Sequence, residues 1–253
     1  MRVTVLGCSG SMCAPDEPAS GYLVDAPGGS FVMDLGPGAL GELQRRGDPS
    51  TVDLLLSHLH ADHCMDIPGL MVWRRYHPTA PARRRNLLYG PADTALRVGH
   101  AAAETGAAVD DLTDSFELRR TPVREPFTVA GVTVTAYPMT HPIEAHGFRV
   151  DDGRRVLAYT GDTAYCPEVV ELAEGADVLL CEATWGDGTL VVPEAMHMSG
   201  AEAGRVAREA GVSRLVLTHI PPYGDRAGAL AAARAEFAGE IALAHRGMVL
   251  DLG

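Results

Sequence analysis

Short apolar runs, cut by Gly, Pro and charged turns, make up most of this chain. None approaches the ~18 apolar residues of a membrane span. Residues 3–6 read as a strand that enters Gly7-Cys8-Ser9-Gly10-Ser11. That loop could offer backbone N–H groups to an anion, or be an ordinary turn. Residues 21–25 and 30–34 read as strands around Pro27-Gly28-Gly29, and residues 39–46 as a helix. Val52-Asp53-Leu54-Leu55-Leu56 has the length of a buried strand. A helix is predicted over 67–76 with Pro68 in its first turn, then a strand at 86–89 and an Ala-rich helix at 92–104. Strands follow near 115–120, 127–129, 132–137, 156–160 and 177–181, with a helix at 168–174. Ser199 and Glu202 form an S-x-x-E capping box, so a helix starts there and runs to about residue 210. A strand at 214–218, a helix at about 226–237 and strand segments near 241–243 and 247–251 complete the pattern. Strands and helices alternate without a repeat or a linker-like break, which predicts one α/β domain over residues 1–253.

The strand at 52–56 runs into Ser57-His58-Leu59-His60-Ala61-Asp62-His63. Imidazole and carboxylate are the donors a borderline divalent ion takes. Residues two apart on an extended segment face the same way, so His58 and His60 can reach one ion. Asp62 and His63 lie past the strand and can turn towards a second. Other ligand-type residues also stand at strand ends: His141 in Met139-Thr140-His141-Pro142, Asp162 in Gly161-Asp162-Thr163, and His219 before Ile220-Pro221-Pro222. Gly161 permits a sharp turn just before Asp162. His197 precedes the capping box, ahead of a helix N-terminus where anions are favoured. His146 reads as structural or at a pocket edge. Asp34, at a strand end before Gly36-Pro37-Gly38, reads as a helix cap, while the resemblance of the His-rich loop to the metallo-β-lactamase superfamily implies equally a support for a ligand histidine.

Composition narrows the picture. The net charge is −12, which argues against large polyanionic partners. All 21 basic residues are Arg, so lysine chemistry is absent. Five scattered Cys without a CxxC pair suit free thiols in a reducing compartment, and the N-terminal apolar run is too short for a signal peptide. Both point to a cytoplasmic protein without a membrane partner. Cys64, beside the metal-type loop, reads as a small buried residue more than a ligand. The Arg74-Arg75 and Arg83-Arg84-Arg85 runs read first as solvated surface; steering a phosphate or forming a subunit contact are the other readings.

His-x-His-x-Asp-His after an apolar strand resembles the metallo-β-lactamase superfamily. The resemblance implies a four-layer αβ/βα sandwich with metals at the sheet edges. It implies His58, His60 and His141 on one ion, Asp62, His63 and His219 on the other, and Asp162 between them. Zn²⁺ or Mn²⁺ suits that set, with Fe possible. Cys181-Glu182-Ala183-Thr184 and His197-Met198-Ser199 resemble two further motifs of the ribonuclease Z-like phosphodiesterases. There Glu182 would hold His197 as the acid for the leaving oxygen, with Asp62 as a third catalytic residue. Only 20 residues separate His141 from Asp162, which leaves no room for that branch's tRNA arm. The chain looks most like the short, armless cyclic-nucleotide phosphodiesterases. The expected substrate is a small phosphodiester, 3′,5′-cyclic AMP first, rather than a structured RNA. A ribonuclease Z-like tRNA nuclease is the alternative. Arg149 or the Arg74/Arg75 pair are candidate phosphate contacts, and symmetry base rates point to a homodimer.

Overall fold

Val132, Val134 and Ala136 alternate with Thr133, Thr135 and Tyr137, and this period of two makes β8 (Val132–Pro138) a strand with one face buried. The computed structural model describes residues 1–189 and 193–253. The first sheet is built from β1 (Arg2–Gly7), β2 (Gly21–Ala26), β3 (Gly29–Leu35), β4 (Asp53–Leu55), β5 (Asn86–Gly90) and β6 (Phe116–Arg120), with β14 (Val249–Asp251) on the edge beside β1. The second has the order β13-β12-β11-β10-β9-β8-β7. Its strands are β7 (Phe127–Val129), β8, β9 (His146–Asp151), β10 (Val156–Tyr159), β11 (Val178–Glu182), β12 (Arg214–Thr218) and β13 (Glu240–Leu243). Each sheet is antiparallel over one half and parallel over the other. The changeover falls at β3–β4 in the first sheet and at β10–β11 in the second.

Three apolar clusters set the layers. Val5, Phe31 and Met33 of the first sheet meet Val134, Phe148 and Leu157 of the second, so the two sheets share one core. On the outer side of the first sheet lie α1 (Ala39–Gln44), α3 (Ile67–Tyr76) and α4 (Thr94–Ala102), through Leu43, Leu70 and Val98. On the outer side of the second lie α5 (Pro167–Ala173), α6 (Gly200–Ala210) and α7 (Arg226–Glu236), through Leu172, Val206 and Ala233. The layering is thus helices, sheet, sheet, helices, as the resemblance implies. Helices α6 and α7 approach closely because Gly204 replaces a side chain: a Cβ there would lie 2.6 Å from Ala233 O. The capping box at Ser199 and Glu202 is formed on both sides.

Two polar readings from the sequence are corrected here. Arg74 is not a surface charge. It is 2% exposed, and its guanidinium donates to Ser50 O, Arg84 O, Ser115 O and Asn86 Oδ1. These partners flank the N-terminal ends of β4–β6, opposite to where β4 delivers its histidines. Arg75 is committed to Asp110 and Asp114, and Arg149 to the carbonyls of Leu172 and Glu174. None of the three is a phosphate contact. Of the two readings of the Gly7–Ser11 loop the structure favours the ordinary turn, because Ser9 N donates to Pro18 O and Gly10 N to Ile220 O.

Candidate metal centre

Segments that follow strands of both sheets bring polar residues together at one place. After β4 the chain is irregular through His60, then turns into α2 (Ala61–Cys64), a single helical turn. The turn brings Asp62 and His63 towards His219, with the His63 ring still 4.1 Å from that of His58. From the second sheet, His141 follows β8, Asp162 follows β10, Glu182 ends β11 and His219 follows β12. Gly161 (φ +57°) lets the chain bend just before Asp162, and a Cβ there would come within 2.9 Å of His146 O and Ser57 Cβ. His219 itself sits at φ +56° and Asp34 at +57°, backbone strain of the kind that gathers at functional sites.

The structure brings all seven predicted donors together. The ligand-type atoms of His58, His60, His141 and Asp162 lie within 4.8 Å of one another, as do those of Asp62, His63, Asp162 and His219. Asp162 belongs to both groups. Imidazole nitrogens face each other at close range: His58 Nε2 to His60 Nδ1 at 3.1 Å, His60 Nδ1 to His141 Nε2 at 3.0 Å, and His63 Nε2 to His219 Nε2 at 3.0 Å. Lone pairs so placed need a proton or a cation between them. Asp162 Oδ1 is buried and has no hydrogen bond, although His63 Nε2 is 3.2 Å away and His219 Nε2 3.4 Å. A buried carboxylate oxygen without a donor is costly. A divalent cation answers both needs, so the donor set fits a metal.

A second ring of contacts fixes which nitrogen points inward. Asp34 accepts four hydrogen bonds: from Ser57 N and Oγ and His63 Nδ1 at 2.7 Å, and from Tyr159 OH at 2.6 Å. This resolves its role as a support for His63 and excludes the helix-cap reading. His141 Nδ1 donates to Met196 O at 2.8 Å, leaving Nε2 for the cluster. His219 Nδ1 meets Thr184 Oγ1 at 2.9 Å. Charge follows the same design. Burial, and then neighbouring His63, hold His58 well below the ordinary histidine value; burial lowers His60 and His141 too, keeping these rings neutral. Burial also opposes charge on His63, but Asp162 and Asp34 outweigh it and raise this histidine well above its ordinary value. Asp62 and Asp162 are buried, yet the surrounding imidazoles hold both carboxylates well below theirs.

Glu182 and His197 form the predicted pair, with His197 Nδ1 2.9 Å from Glu182 Oε1. Glu182 is fully buried and also accepts from Thr163 N, Met198 N and Thr184 Oγ1. Burial pulls the His197 imidazolium down, but Glu182 and then Asp162 outweigh it and raise it to about 9. The protonated pair therefore stabilises the fold fully below about pH 6.5, the unfolded value, and that contribution is lost as pH rises through about 9. In metal-free protein, an NMR titration of the His197 ring should show a midpoint near 9. Glu182→Gln should lower it by more than about one unit. An unmoved midpoint would show that Glu182 does not set this proton.

His146 is buried at the start of β9 and joins neither donor group, as the sequence reading has it; Cys64 likewise stays outside both. Sequence reasoning missed Tyr159, which looks like one more apolar strand residue, and gave no role to Ser57 or Thr184. Those two hydroxyls sit next to quoted motif residues, so position was the available signal.

Comparison with known proteins agrees with this geometry. The family model for the Beta-lactamase superfamily domain matches residues 22–220. The chain belongs to that superfamily. Rv1339 of Mycobacterium tuberculosis is 50% identical over 243 residues, covering 95% of this chain and 88% of the relative. YhfI of Bacillus subtilis, a "probable metallo-hydrolase", is 32% identical over 257 residues, 99% of this chain and 100% of its own length. Its crystal structure, that of a metallo-beta-lactamase fold protein, superposes with a TM-score of 0.87 over 98% of each chain. Ribonuclease Z of Myxococcus xanthus is 29% identical over 306 residues, 100% of this chain and 98% of the relative. The fold is thus the metallo-β-lactamase sandwich, and the chain is a metallo-hydrolase of that fold, similar to ribonuclease Z. Among the described residues no helix is long and apolar enough to cross a membrane.

Proposed function

We propose that the chain is a phosphodiesterase for small phosphodiesters, 3′,5′-cyclic AMP first, that works with two divalent ions. The observation that carries this reading is the Glu182–His197 pair, at 2.9 Å, beside two donor groups that share Asp162. His58, His60 and His141 would hold one ion, Asp62, His63 and His219 the other, and Asp162 would serve both. Zn²⁺ and Mn²⁺ suit this mixture of imidazole and carboxylate, with Fe possible. When bound, such ions lower the pKa of water and offset charge on phosphoryl oxygens.

The chain's own residues supply the proton. A ribose alkoxide is a poor leaving group unless an acid meets it. His197 keeps Nδ1 on Glu182, so the proton it gives up is the one on Nε2. As a water adds its oxygen to phosphorus and releases a proton to solvent, the bond from phosphorus to O3′ breaks and O3′ takes the His197 proton. Glu182 then steadies the ring while it is recharged from solvent. A thiolate leaves without an acid, so thioester hydrolysis gives no such reason for a carboxylate-held histidine here. Between His141 and Asp162 the chain is filled by β9, β10 and their turn, which supports a small substrate over a folded RNA.

The test is turnover of cyclic AMP by purified protein supplied with Mn²⁺ or Zn²⁺, beside His63→Ala. Conversion to 5′-AMP that vanishes in the variant is the expected result. No conversion by protein shown to hold metal would overturn the substrate reading and make precursor tRNA the next substrate.

A further inference from the structure

Beside the donor cluster lies a cavity of about 300 Å³ with no part in the chemistry above. It sits between the loops that follow β11 and β12, lined by Thr184, Trp185, Asp187, Tyr223 and Asp225 among others. Contact ties it to the acid pair. The Trp185 ring meets His197 edge-on at 5.1 Å between centroids, while His197 lies 5.3 Å from His141 and 5.5 Å from His219. His197 thus stands between the histidine cluster and this cavity. Thr184, in the cavity wall, also touches both Glu182 and His219 at 2.9 Å.

The lining is selective. Tyr223 is 76% exposed, a large aromatic face left uncovered, and the half-buried Trp185 lines the same cavity. Planar rings so placed suit a planar guest, and base–aromatic stacking is a strong term for any nucleobase. Asp187 and Asp225 make the cavity anionic, so it repels a phosphate, and the two carboxylates accept hydrogen bonds without giving them. Both bonds that Asp187 takes, from Thr189 N at 3.0 Å and Thr189 Oγ1 at 2.8 Å, fall on Oδ1. Its Oδ2 keeps acceptor capacity.

We propose that this cavity is the base subsite, and that it takes a nucleobase bearing an exocyclic amine. The base stacks against Tyr223 and donates its amine to Asp187, while its phosphate lies at the histidines. The charge pattern allows only this orientation, because the phosphate is repelled at one end and drawn to the other. It also puts the nucleoside, and hence the leaving O3′, on the His197 side of the phosphate. This inference rests on the phosphodiesterase reading, but base binding is measured without turnover.

The experiment is calorimetry of Mn²⁺-loaded protein with 5′-AMP, 5′-UMP and ribose 5-phosphate, in the parent, Tyr223→Ala and Asp187→Asn, each checked for metal content. AMP should bind at least about tenfold more tightly than ribose 5-phosphate, the order of a single stacked base. Tyr223→Ala should erase most of that ratio. Asp187→Asn should narrow the preference for AMP over UMP. Equal binding of AMP and ribose 5-phosphate by the parent, no measurable AMP binding, or equal weakening of both by Tyr223→Ala would overturn the subsite. A base preference that survives in a protein without cyclic-nucleotide turnover would sink the phosphodiesterase reading and leave the subsite standing. Turnover without base preference would do the reverse.

Discussion

His197→Ala should lose about 10²- to 10⁴-fold in cyclic AMP turnover, the range for removing a positioned acid, and keep its metal. His197 lies outside the two donor groups that share Asp162 and is held instead by Glu182. Its loss should therefore fall on the step where the leaving oxygen takes a proton. That gives the variant a signature. With methyl p-nitrophenyl phosphate, whose nitrophenolate departs without help, the deficit should shrink well below that for cyclic AMP. Metal analysis and steady-state kinetics on both substrates decide the matter. An equal deficit on the two would remove the proton-donor role, and full activity would remove any role.

Asp162→Asn should be the more damaging change. Asp162 is buried, belongs to both donor groups and keeps one oxygen without a hydrogen bond. The amide preserves the shape and removes the charge. Bound metal should fall below the parent's content, and activity should drop by more than about 100-fold, beyond what losing an outer partner of a ligand costs. A pH effect accompanies it. In metal-free protein Asp162 is held well below the ordinary carboxylate value, so its stabilisation is present above about pH 4 and is lost as pH falls through the lower, folded value. The acid limb of thermal stability should therefore flatten in the asparagine variant. Elemental analysis and melting curves between neutral and acid pH test both effects. Unchanged metal content would show that Asp162 holds no ion.

Much of this centre was legible because its residues are short-range. His58, His60, Asp62 and His63 occupy six positions, and each remaining donor marks the end of an apolar strand, where period-two patterning gives the boundary to within a residue or two. Asp34 was half legible. A strand-end Asp is ambiguous in sequence, and only the fold brings Ser57, His63 and Tyr159 to it. Tyr159 carried no signal, because its hydroxyl partner is 125 residues away. Arg74 misled for the same reason. Two adjacent arginines read as solvated charge, yet Arg74 finds three backbone carbonyls and Asn86 that lie apart in sequence. The base cavity was invisible because its walls come from loops after different strands, more than 30 residues apart.

The division of donors between two sheets bears on how the protein is made. The first sheet offers His58, His60, Asp62 and His63, and the second offers His141, Asp162 and His219. During synthesis the early loop exists alone for many residues, and neither group of donors closes until the second sheet docks. An ion caught by the early loop stays exchangeable, while one caught after docking clasps the two halves together. Binding energy then becomes docking energy, about 4 kcal/mol at a free ion concentration a thousand times the dissociation constant. Metal supply would thus govern how long the two sheets stay joined, and with it the survival of the chain against proteolysis, as well as its activity.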